Sequence, residues 1–143
     1  MSFRTATHLA LRRSVSSTLN YRLSALPLRQ FHATSATMTV HDIASKAAFD
    51  EAVKTHSVVI LDAFATWCGP CKAIAPIIAK MSEEEQFKDV YFAKIDVDDL
   101  PELSQELGIS AMPTIIAFKG GEIGDKVVGA NPKAILELVN KQL

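Results

Sequence analysis

The stretch Val58-Val59-Ile60-Leu61-Asp62-Ala63-Phe64-Ala65-Thr66-Trp67-Cys68-Gly69-Pro70-Cys71-Lys72-Ala73-Ile74 decides the fold. Its first half is a dense apolar, β-branched run, the pattern of a central strand buried on both faces. Its second half turns to helical spacing, with Ile74, Ile77, Ile78 and Met81 at i, i+3, i+4 and i+7. The helix is predicted to start around Cys71, with Pro76 kinking it. Two cysteines therefore sit where a buried strand gives way to a helix. Cys68 falls near the helix N-terminus, where backbone N–H groups and the macrodipole favour a thiolate. An unperturbed thiol is only about 3% ionised at pH 7. Lowering its pKa by roughly one to two units makes a nucleophile available at neutral pH. Cys68 is then expected to be the exposed attacking thiol. Cys71, one turn inside the helix, is the more buried resolving thiol that attacks Cys68 and releases the reduced substrate. With two residues between them, the pair closes a very small ring that forms and breaks readily.

Working outward, the chain after residue 39 alternates strand-like and helix-like segments, which predicts one α/β domain over residues 39–143. Val40–Ile43 reads as a short strand. Ser45 caps a helix carrying Phe49, Ala52 and Val53 on one face. Val90–Val97 is a further strand. Leu100–Leu107 is a short helix with Asp99 as its cap, Pro101 in its first turn and Gly108 at its stop. Thr114–Phe118 and Lys126–Val128 form a hairpin around Lys119-Gly120-Gly121-Glu122. Asn131-Pro132 opens a last helix that buries Ile135, Leu138 and Val139. The expected order is β-α-β-α-β-α-β-β-α, with no internal repeat and no second domain.

The first 38 residues have a different composition. Residues 1–37 hold no Asp, Glu or Lys, but five Arg (Arg4, Arg12, Arg13, Arg22, Arg29) and eleven Ser or Thr. That is the composition of a mitochondrial transit peptide, drawn by a negative-inside membrane potential. Arginines interrupt every apolar run, which argues against a secretory signal. The segment Arg29-Gln30-Phe31-His32-Ala33-Thr34-Ser35-Ala36-Thr37-Met38 resembles the two-step mitochondrial processing motif. In that motif one cut follows Gln30 and a second follows Met38, so the mature chain begins at Thr39. The expected location is the mitochondrial matrix, and Met38 offers an internal start for a cytosolic form.

Beyond residue 40 the chain carries ten lysines against sixteen acidic residues. An acidic domain is a poor partner for nucleic acid, whose phosphates demand a basic face. The apolar runs are too short to span a bilayer. With only two cysteines, neither a disulfide framework nor a four-cysteine zinc site is possible. His41 and His56, fifteen residues apart, lack zinc-ligand spacing.

The chain resembles the thioredoxin family over residues 40–143. The matching pieces are Leu61–Lys72, Ile74-Ala75-Pro76, Ala93–Asp98, Met112-Pro113-Thr114, Phe118–Gly121 and Val128-Gly129-Ala130. The resemblance implies a thioredoxin fold, a central five-stranded mixed sheet flanked by four helices. It implies a protein-disulfide reductase cycling between dithiol and disulfide at Cys68 and Cys71, tuned in the reducing direction by Gly69 and Pro70. Asp62 would be the buried acid that moves the proton of Cys71, and Lys94 would lie near it and tune it. Pro113 would be a cis-proline facing the dithiol, with the Met112 backbone holding an extended substrate segment. Trp67, Gly129 and Ala130 would form the docking rim. The implied partners are a thioredoxin reductase, peroxiredoxins and other disulfide-containing proteins. No metal is implied, nor any cofactor beyond the redox disulfide, NADPH being used only by the partner reductase; a monomer is expected. Many relatives carry Trp where this chain has Phe64 and Phe where it has Ala63. A thiol oxidase or isomerase, or a non-catalytic binding subunit, are the alternatives on the same fold.

Overall fold

The apolar run before the cysteines is the middle of a five-stranded sheet. The computed structural model describes residues 39–143. In chain order the strands are β1 (Val40–Asp42), β2 (Val58–Phe64), β3 (Tyr91–Asp96), β4 (Thr114–Lys119) and β5 (Glu122–Val128). The helices are α1 (Lys46–Thr55), α2 (Gly69–Ser82), α3 (Pro101–Glu106) and α4 (Pro132–Asn140). The sheet order is β1-β3-β2-β4-β5. β1, β3 and β2 are parallel, whereas β4 runs antiparallel to both β2 and β5. The mixed sheet with four helices, and the order of elements, are those read from the sequence. The transit-peptide and cleavage-site readings of residues 1–38 concern a segment outside the described residues.

Side chains along a strand alternate between the two faces, and β2 buries both. Val58 and Ile60 point to a core shared with Ile74, Ile78 and Met81 of α2 and with Ile135, Leu138 and Val139 of α4. Val59, Leu61 and Ala63 point to a second core with Phe49, Ala52 and Val53 of α1 and Leu103 of α3. Each fully buried aliphatic or aromatic side chain stabilises the fold by about 1.5–3 kcal/mol. Asp62 lies in the same strand, between Leu61 and Ala63, and is buried with them.

Four local readings are corrected. The second helix begins at Gly69, two residues earlier than predicted, because Cys68 itself is the extended N-cap and its sulfur accepts the Cys71 N–H. Ile77 is 36% exposed; it falls outside the arc of the helix shared by Cys71, Ile74, Ile78 and Met81. The third helix is capped at Leu100 rather than Asp99. Pro101 occupies the first helical position, so the residue before it must be the cap. A 3₁₀ turn, Glu85–Phe87, joins α2 to β3 and buries Phe87; no periodicity marks so short an element. Pro76 is carried inside α2 without ending it. The β4–β5 hairpin turns on Gly120 and Gly121, whose φ angles of 59° and 85° only glycine adopts freely.

Candidate active site

α2 begins a short connection after β2, so the cysteine pair sits beyond the C-terminal end of the central strand. Cys68 and Cys71 form a disulfide, with Cα atoms 5.3 Å apart. The Cys68 sulfur accepts a hydrogen bond from the Cys71 backbone N–H at 3.2 Å. It occupies the place where a Ser or Asp would cap the helix, beside the positive end of the dipole. Gly69 and Pro70 form the first turn, where the missing N–H of proline costs nothing.

The expectation that Cys68 is exposed and Cys71 buried is corrected. Both are buried, at 5% and 3% exposure, because Cys68 packs with Ala65, Cys71 and Met112 rather than standing clear of the helix end. The two differ in what lies beneath them. Cys71 lines a cavity of about 300 Å³ together with Asp62, Phe64, Ala65, Thr66, Lys72, Ala75 and Lys94, and Cys68 does not.

Asp62 is 5% exposed and its Oδ1 has no hydrogen-bond partner. Burial in an apolar wall disfavours the carboxylate, and this pushes the Asp62 pKa up from 3.8 to about 6, against an opposing pull from the Lys94 charge. Lys94 is the register neighbour of Asp62 on β3. Its ammonium, however, is paired with Asp42 Oδ2 of β1 at 3.2 Å and lies 5.4 Å from the centre of the Phe64 ring. Lys94 therefore stands beside Asp62 as read from the sequence, but its ion pair is with another carboxylate.

The residues expected at a docking rim lie in two other segments, Met112-Pro113 and Gly129-Ala130, and at Trp67 beside Cys68. Met112 packs against the cluster of Ala65, Cys68 and Cys71. The Met112–Pro113 peptide is cis, and Pro113 is buried. The Gly129 N–H donates to the Pro113 carbonyl at 2.8 Å, tying the end of β5 to that loop. Ala130 follows it on the surface. Trp67 is 66% exposed and its indole N–H donates to Asp98 Oδ2 at 2.8 Å. Sequence reading missed Asp98, Asp42 and the place of Phe64 against Lys94. All three act through contacts between residues 30 or more apart, for which a single sequence carries no signal. Among the described residues, no group of three or more His, Cys, Asp or Glu side chains could hold a metal ion.

A redox-competent cysteine pair at a helix N-terminus, on this sheet, defines a thiol–disulfide oxidoreductase. The thioredoxin family model matches residues 40–141. The chain is 47% identical over 117 residues to thioredoxin-2 of Pyricularia oryzae, covering 82% of this chain and 67% of the relative. It is 33% identical over 114 residues to "Thioredoxin-3, mitochondrial" of Saccharomyces cerevisiae, covering 80% and 88%. The solved structure of Malassezia sympodialis thioredoxin superposes with a TM-score of 0.69 at 41% identity, over 72% of this chain and 90% of that one. A chain from a structural study of the thiol-resolving mechanism in yeast mitochondrial 1-Cys peroxiredoxin via glutathione/thioredoxin systems gives a TM-score of 0.67 at 32% identity, over 72% and 95%. The chain belongs to the thioredoxin family, and is a protein-disulfide reductase with Cys68 and Cys71 as its redox pair.

Proposed function

We propose that this chain is the thioredoxin of a mitochondrial matrix, delivered by residues 1–38 and acting through residues 39–143. The reduced Cys68 thiolate attacks one sulfur of a substrate disulfide. A Cys68–substrate mixed disulfide forms, and one substrate thiolate leaves and takes a proton. Cys71 then passes its proton to Asp62 and attacks the Cys68 sulfur. The second substrate thiol leaves, and the Cys68–Cys71 disulfide remains. Two electrons pass from the dithiol to the substrate in each cycle. An NADPH-dependent thioredoxin reductase returns them, and peroxiredoxins are among the acceptors.

The observation that carries this reading is the shared cavity of Cys71 and Asp62. An acid with a pKa of about 6 that lines the same space as Cys71 supports the reading of Asp62 as its proton acceptor. A proton acceptor works best with a pKa near the working pH. The cis-Pro113 loop and the exposed Trp67 flank the pair and supply a surface for an extended substrate segment. The mitochondrial address is supported by the acid-free, arginine-bearing composition of residues 1–37 and by the resemblance to a relative named as mitochondrial. The peroxiredoxin assignment draws on the structural study named above.

Two experiments test the proposal. Insulin reduction by dithiothreitol should accelerate with the full chain and not with Cys68→Ser; equal activity of the two refutes the redox role. A full-length chain tagged at its C-terminus should enter mitochondria and be cut to a mature N-terminus at Thr39. A cytosolic product alone, or a start before residue 30, refutes the address.

A further inference from the structure

One row of residues crosses the sheet beneath the redox site. Asp42 of β1 is the register partner of Lys94 on β3, Lys94 that of Asp62 on β2, and Asp62 that of Ile115 on β4. Register partners project to the same face, and neighbouring strands lie about 4.8 Å apart. A lysine between two carboxylates at that spacing can reach either one. Here the ammonium lies on Asp42, at 3.2 Å, and rests near the Phe64 ring. Asp62, on the other side, keeps an oxygen with no partner.

The groups facing Asp62 leave few other controls. Around its cavity the charged or titratable side chains are Lys94 from β3 and Lys72 and Cys71 from α2. β4 contributes Ile115 in the same row, and α4 lines none of the cavity. Lys94 is thus the strand-borne cation of the cavity that Asp62 lines, and its ammonium is paired with a residue outside that cavity.

We propose that Asp42 is a positioning residue of the redox site: by holding the Lys94 ammonium at the β1 side of the row, it keeps that charge from pairing with Asp62 and leaves the Asp62 carboxyl free to exchange a proton with Cys71. The proposal rests on the reading of Asp62 as proton acceptor. Asp42 touches neither the dithiol nor the substrate; it acts through Lys94. Neutralising Asp42 frees the lysine to swing to Asp62, which favours the carboxylate and weakens Asp62 as a base.

The test is the carbon-13 titration of the Asp62 carboxyl in the oxidised full chain at low salt, where neither cysteine titrates. Asp42→Asn should lower the Asp62 midpoint by about 0.2–0.7 pH units, the range an ion pair exposed to solvent can supply. The loss of the Asp42 charge alone also pushes the midpoint down, so the same substitution is made in a Lys94→Met background. There the shift should shrink by at least half. No movement in Asp42→Asn, or an equal movement with and without Lys94, overturns the proposal. Asp42 is largely exposed, so the variant folds and a merely structural role leaves the midpoint in place. If Asp62→Asn leaves the pH profile of insulin reduction unchanged, the proton-acceptor reading fails by itself. The titration still decides whether Asp42 governs Lys94.

Discussion

Asp62 and Cys71 line one cavity, the carboxyl on the central strand and the cysteine at the third position of the helix that follows it. This arrangement sets a cost in stability against a gain in chemistry. A carboxyl buried beside Phe64, Ala65 and Ala75 cannot be ionised cheaply. The same penalty holds a proton on it to about pH 6, in the cavity that Cys71 also lines.

Asp62→Asn should therefore stabilise the protein at pH 7 and slow its catalysis. The folded-state pKa of Asp62 is about 6, above its ordinary value of 3.8. Between these values the native state binds the proton and the unfolded chain does not, so stability falls as pH rises through this window. Below about pH 4 both states are protonated, and the penalty vanishes. Urea unfolding should show Asp62→Asn more stable than the parent by on the order of 2–3 kcal/mol at pH 7, with the difference closing by pH 4. A parent whose stability rises from pH 4 to pH 7 relative to the variant contradicts the burial argument. Turnover of insulin should fall, because Cys71 loses its proton acceptor.

The proposed order of attack, Cys68 first and Cys71 second, rests on which sulfur caps the helix and which residue lines the cavity. In Cys71→Ser, Cys68 should still attack a substrate disulfide but have no thiol to release it, so mixed disulfides accumulate. Cys68→Ser should trap nothing and show no reductase activity. Non-reducing electrophoresis with mass spectrometry of the adducts reads both variants. Trapping through Cys71 in the Cys68→Ser protein reverses the assigned order.

The last helix offers a measurement of local design. Asn131 Oδ1 accepts the Ala134 N–H at 3.3 Å, and Pro132 follows at the first helical position. Asn131→Ala should lower stability by about 1 kcal/mol, the usual worth of an N-cap side chain. Asn131→Ser should recover most of it. Thermal unfolding of the three proteins compares them, with reductase activity unchanged throughout, because the cap lies outside the cavity.

The cap at Asn131 and the hairpin at Gly120-Gly121 were legible because each depends on residues within a few positions of one another, whereas the start of the second helix was placed two residues late because a cysteine is not an ordinary N-cap. The class of chemistry was legible too, since Cys68 and Cys71 fall where an apolar run becomes a helix. The partners of the side chains that tune the site were not. Lys94 reads equally as a partner of Asp62 or as a solvated strand lysine, and only the register of β1 on β3 puts Asp42 within 3.2 Å of it. The exposure of Cys68 was misjudged for a related reason: it is nearly as buried as Cys71 because Ala65 and the distant Met112 pack with it. Position in sequence orders the two cysteines along the helix, whereas their access to solvent depends on neighbours from other segments.

Trp67 shows the same dependence on a distant residue and yields the last prediction. Its side chain is 66% exposed, next to Cys68, and held by Asp98 from the segment after β3. A large exposed aromatic fixed by one hydrogen bond is unfavourable to hydration and pre-ordered for contact, the character of an interface anchor. Trp67→Ala should lower kcat/KM for a protein disulfide by roughly 5- to 30-fold, the equivalent of about 1–2 kcal/mol of docking energy. A small disulfide that cannot span the rim should be reduced at nearly the parental rate. Asp98→Ala leaves the indole in place but unheld, and its loss should be smaller and in the same direction. Unfolding midpoints should barely change for either variant, since neither side chain is part of the core. Equal losses on protein and small substrates would mean that Trp67 acts on the dithiol rather than on docking.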